Sequence, residues 1–239
     1  MSPTIQHGCA VSGNLSMLFI LIALAASGFL PPTGPSWDAE QTVTHYRRHE
    51  NGIRAGAALL ILSGTLYLPF VAAVSAQMRR VPDLHHAIRA IQFAAGSVGS
   101  FSILMAGLVL ATAGYRLDRH ADVTQALNDL FWISLLSAWP LFMAQSFALA
   151  CAIIVDSRSK PPFPKAVALV NVMVPVTFIP GIALHCVKGG PVAWNGVVGF
   201  WIPVFLFGVE VSMDCLCLWR AASNEADMEQ EGELSSSSC

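Results

Sequence analysis

Charge is what this sequence has least of. Asp, Glu, Lys and Arg supply 12% of its 239 residues, about half the share of a soluble domain. No basic patch with interleaved aromatics occurs, which argues against nucleic acid as a partner. The net charge of −2 says nothing further about partners. Recognisable metal chemistry is also missing. The six cysteines form no CxxC and no Cys/His ligand spacing, and thiols inside apolar runs behave as small hydrophobes. His45 and His49 lie one helical turn apart, as in a two-histidine site, but no HExxH accompanies them. The expectation is therefore no metal and no cofactor. No internal repeat is evident, and Cys239 is not placed for prenylation.

What is present is hydrocarbon. Hydrophobic residues make up 54% of the chain. Six runs, 14–30, 55–77, 90–113, 129–154, 166–187 and 197–219, each approach the roughly twenty apolar residues that a bilayer requires. They use most of the chain, so one compact all-α bundle of six spans is expected over residues 1–220, with an acidic, Ser-rich, disordered tail at 221–239. The first run is read as a span, because no Lys or Arg precedes it as in a secretory leader. The sequon at Asn14 abuts the membrane and is discounted. Between spans one and two, Asp38 with Gln41 reads as a capping box for a short interfacial helix through His49, with Val43 and Tyr46 on one side. Asn128 and Asp129 are expected to cap span four. Lys and Arg divide almost evenly between the two sets of short loops, so both termini are placed in the cytoplasm mainly on the parity of six spans and the character of the tail.

Two acids stand in the middle of the last run, GVVGFWIPVFLFGVEVSMDCLCLWR. Spaced i, i+4, Glu210 and Asp214 share a helix face. At 1.5 Å per residue Glu210 lies roughly 15 Å from the Trp219–Arg220 boundary. A carboxylate at that depth costs about 2.5–3.5 kcal/mol, so it must keep its proton, face a polar cavity, or find partners on other spans. Counting inward from each charged end places Asn171 level with Asp214, roughly 9 Å deep, and Gln145 and Tyr67 level with Glu210, roughly 15–18 Å deep. Prolines 69, 140, 175, 180 and 203 interrupt four spans and release backbone carbonyls. A polar pocket with Glu210 and Asp214 as reacting groups and Tyr67, Gln145 and Asn171 as binding groups is the expected site. Two functions use such acids: an enzyme that protonates an alkene, epoxide or carbonyl of a lipophilic, isoprenoid-type metabolite, and a proton-coupled carrier of a small hydrophobic compound, for which a bundle this small calls for a homodimer. An accessory membrane protein without chemistry of its own is the third.

The stretches LPFVAAVSAQMRR (68–80), TQALNDLFW (124–132), FPKAVALVNV (163–172) and GPVAWNGVVGFWIP (190–203) resemble a functionally unassigned family of small multi-pass membrane proteins of actinobacterial type. That likeness implies six membrane helices and carries over no functional residue. In size and in having acids within spans the chain is also distantly similar to the small integral-membrane terpene cyclases. It departs from them in span number and in lacking an acid in span two.

Overall fold

The computed structural model describes residues 3–237, with side chains from Thr4 to Asn224. Helices α1 (Pro3–Ala26), α2 (Ala39–Arg48), α3 (Glu50–Met78), α4 (His86–Tyr115), α5 (Ala121–Leu136), α6 (Trp139–Val155), α7 (Lys165–Val176) and α8 (Ile202–Ser237) are joined by a 3-10 segment, Ile179–Cys186, and a π turn, Val197–Trp201. There is no strand among the described residues. Six helical segments are long and apolar enough to cross a membrane, so the chain is an all-α, multi-pass membrane protein.

Chain order fixes the arrangement of the spans. α1 packs on α3, α3 on α4, α4 on α5 and α6, α6 on α7, α7 on α8, and α8 returns to α1. The spans thus form a closed ring, and the side chains that point inward meet one another. Small residues of α4 draw it against α3 and α6, as helix association in lipid requires. A Cβ at Gly107 would stand 2.9 Å from the Ile61 amide nitrogen, and one at Gly99 2.8 Å from the Phe142 ring.

The first span differs from its expected range of 14–30. α1 begins at Pro3 because the bundle provides partners for its polar start: His7 Nε2 lies 3.1 Å from Ser223 Oγ and its ring 4.2 Å from Trp219. The helix ends earlier, at Gly28, whose φ of +68° is the left-handed conformation that glycine admits without strain. The same contacts carry the packed part of α8 past 220, since Ala221 and Ala222 are buried. Over the rest of the expected tail the backbone of α8 continues to Ser237, and the side chains from Glu225 lie outside those described.

The face away from the termini is covered by α2. Its capping box is formed as expected, with Gln41 N donating to Asp38 Oδ1 at 2.8 Å and Asp38 N to Gln41 Oε1 at 3.1 Å. Tyr46 is buried, and its hydroxyl donates to Asn128 Oδ1 at 3.4 Å. Asn128 and Asp129 therefore sit inside α5 and do not cap it. The polar run before them, outside the expected span of 129–154, folds as helix from Ala121 because Thr124 is buried there and Gln125 Nε2 donates to the Trp37 carbonyl at 2.8 Å.

The His45 ring stacks on Phe29 at 4.9 Å with Nε2 3.0 Å from the Ser27 carbonyl. Burial lowers its pKa below the ordinary histidine value, with His49 and Arg48 adding to the shift against the Ser27 contact. Protonation then favours the opened cap, so the stability this ring contributes is complete above the ordinary histidine value and lost as pH falls below it. Thermal unfolding should drop between about pH 7 and about pH 5, and His45→Gln should flatten that drop; an unchanged slope in the variant would contradict the assignment.

Candidate functional site

Glu210 and Asp214 both face the ring interior, 1% and 3% exposed, while Val209 and Leu216 on the opposite side of α8 are exposed. α7, α6 and α3 each contribute one polar side chain to this layer. Asn171 Nδ2, from α7, donates to Asp214 Oδ1 at 3.1 Å and back to the Val167 carbonyl at 3.2 Å. Gln145 Nε2, from α6, donates to the Tyr67 hydroxyl on α3 at 2.9 Å. The structure therefore joins the five residues as two hydrogen-bonded pairs plus Glu210. Both Glu210 oxygens are buried without a hydrogen-bond partner. The Ser146 hydroxyl lies beside it but misses hydrogen-bond geometry.

Among the described residues no cation forms an ion pair with either acid. The ion pairs among the described residues are Arg54–Glu50, His120–Asp122 and Arg158–Asp156, all at the ends of spans. An isolated carboxylate in an apolar shell is far costlier than a neutral carboxyl, so the uncharged acid is the form this surrounding admits at Glu210. By contrast Asp156, outside the spans, is held below the usual carboxylate range by its hydrogen bonds from Arg158.

The expected polar pocket is not what the acids occupy. They are packed into a layer, and the open space lies beyond two phenylalanines. Phe142 and Phe207, with ring centres 4.9 Å apart, touch Tyr67 on one side, at 5.8 and 6.3 Å. On the other side they wall an apolar cavity of about 70 Å³, completed by Met17, Leu24, Leu136 and Trp139. Neither acid lines it.

The cavity sits against the break in span four, at Leu135, Leu136 and Trp139, and spans four and five are both interrupted. Pro140, Pro180 and Pro203 each stand in the first turn of a helical segment, where a missing N–H costs nothing. Only Pro69 and Pro175 lie within helices. The two breaks meet through Trp139 and Phe178, stacked at 4.5 Å. A Cβ at Gly181 would come 2.4 Å from the Trp139 ring, so the contact needs glycine there.

Ser146 and the rings of Trp139, Phe142, Phe178 and Phe207 were not singled out from the sequence. Part of the signal was available: Phe207 precedes Glu210 by one helical turn, and Trp139 precedes Phe142 likewise. Phe178 carried none, because its place depends on the break beside it.

The Asn171–Asp214 bond invites a double-mutant cycle with Asn171→Leu and Asp214→Leu. The expected coupling is about 0.6 kcal/mol and no more than about 1.7 kcal/mol, the range found for hydrogen bonds between membrane helices; a coupling near zero would mean the two residues do not meet.

No family model, curated protein or solved structure matches this chain.

Proposed function

We propose that this protein is an integral membrane enzyme that transforms a lipophilic, isoprenoid-type metabolite by acid–base chemistry without a cofactor. The observation that carries the reading is a juxtaposition: a buried carboxyl with neither oxygen bonded, separated by one layer of aromatic rings from an apolar cavity. Turning the Phe142 and Phe207 rings joins the two compartments. Glu210 then gives its proton to an alkene carbon, consuming the π bond, or to an epoxide oxygen, breaking a C–O bond, and the carbocation formed is shielded by ring faces, which attract positive charge. The Glu210 carboxylate left by that donation takes a proton back from a neighbouring carbon, so the proton count closes and the product is an isomer of the substrate. Tyr67, held by Gln145, and Asn171, held on Asp214, fix the layer.

A second reading, a proton-linked carrier of a small hydrophobic compound, draws on the two broken spans whose interruptions meet at Trp139 and Phe178, since discontinuous helices surround the sites of many carriers. Both readings place the termini on the cytoplasmic face, and the carrier adds a homodimer. The purified protein in detergent, supplied with prenylated alkenes and epoxides, separates them. Product formed without any closed compartment supports the enzyme; proton-dependent uptake into proteoliposomes of an unchanged compound supports the carrier and removes the enzyme.

A further inference from the structure

A second space lies on the outer wall of the ring. α1 and α8 touch where a Cβ on Gly13 would come 2.7 Å from Cys215 Sγ, and they diverge from there toward the face away from the termini. The divergence leaves a groove of about 660 Å³ open to the surroundings of the bundle, within the roughly 300–1,000 Å³ of small-molecule sites. Met17, Leu21, Val204 and Gly208 border both this groove and the aromatic cavity. The two spaces are therefore outer and inner compartments that share a wall. Gly208 stands at the strait between them, with nothing within 4 Å of the place its Cβ would take.

The groove is apolar except at one end. Asn14, exposed, and Ser212, half-buried, line it together. His7 packs on Trp219, and Asn14 lies as far along α1 from His7 as Ser212 lies along α8 from Trp219. Both therefore stand roughly 10 Å inside that boundary, at 1.5 Å per residue. An exposed amide at that depth has hydrocarbon around it unless a ligand supplies a partner.

We propose that the α1–α8 groove binds a single-chain lipid with an uncharged hydroxyl or carbonyl head. Its head meets Asn14 and Ser212, its chain lies along the groove, and its end passes Gly208 into the aromatic cavity. A charged headgroup is excluded by depth, since Asn14 and Ser212 offer no countercharge and the bilayer interior penalises ions. The proposal rests on the reading of the aromatic cavity as the substrate site, and it makes the groove the lateral entrance to that site.

The test uses the full-length protein in phosphatidylcholine nanodiscs and a diazirine derivative of farnesol. Labelling is expected on residues 14–21 and 204–216, and unlabelled farnesol should compete it away. Gly208→Leu, which closes the strait and places a better helix former in α8, should lower that labelling at least about tenfold, the equivalent of one decade in affinity. Asn14→Leu should weaken the alcohol probe but leave a diazirine hydrocarbon of the same chain unaffected. Labelling spread evenly over all lipid-facing helices, equal labelling in Gly208→Leu, or cross-linking that shows a second copy seated in the groove would each overturn the proposal. Labelling as expected with no turnover of any substrate would overturn only the enzymatic reading; turnover that persists in Gly208→Leu would overturn only the entrance.

Discussion

Glu210→Gln should abolish activity and leave the fold in place. The side chain is 1% exposed and its oxygens bond to nothing, so an amide of the same shape has no ion pair to lose and no charge to uncover. Unfolding free energy should change by less than about 1 kcal/mol, the scale of one membrane hydrogen bond. Loss of the transferable proton is a different matter. General acid catalysis by a positioned carboxyl contributes about 10²–10⁴-fold, and turnover should fall by that factor. Infrared difference spectra of the wild type should contain a protonated-carboxyl band that the variant lacks. Full activity in Glu210→Gln would remove the acid from the chemistry and leave the accessory reading in possession.

The largest loss of stability is expected at Gly52, far from that site. A Cβ there would stand 1.9 Å from the Ala26 carbonyl oxygen and 2.9 Å from its carbon. The obstacle is main chain, which cannot rotate away as a side chain can. Gly52→Leu must therefore push the end of α1 off α3, and with it the Ser27, Gly28 and Phe29 segment against which His45 is seated. Overpacking of this kind typically costs 1–3 kcal/mol, and here about 3 kcal/mol or more. Gly8→Leu is the control. Nothing lies within 4 Å of its Cβ position, so the better helix former should be neutral or stabilising by up to about 1 kcal/mol. Detergent titration monitored by circular dichroism compares the two; similar unfolding midpoints would show that α1 and α3 do not approach as closely as described.

Read residue by residue, the sequence was most informative where one physical requirement dominated. Hydrocarbon length alone located the six spans to within a few residues, except at α1, whose polar first turns were sheltered by His7 packing on Trp219, and at span four, which starts at Ala121 because its polar first turns pack on α2 and the Trp37 carbonyl. Local chemistry alone gave the Asp38–Gln41 capping box, because both partners lie within one helical turn. Depth counting brought Asn171 to Asp214 and Gln145 to Tyr67, because a helix rises uniformly and buried polar groups must pair with what shares their level.

What the sequence determined by itself, then, was composition with depth: how many spans, and which polar groups lie at which level of the membrane. Only the tertiary structure decided direction around the helix axes and the distribution of empty space. It closed the spans into a ring, so that Glu210 faces the ring interior while Val209 faces outward. It set Phe142 and Phe207 between the acids and the cavity, and it paired the breaks of spans four and five at Trp139 and Phe178. The reason is that periodicity fixes an angle only within one helix. Which neighbour a face meets, and where rings leave a void, depends on how separate helices are rotated and spaced, and that is encoded in contacts between residues distant in the chain.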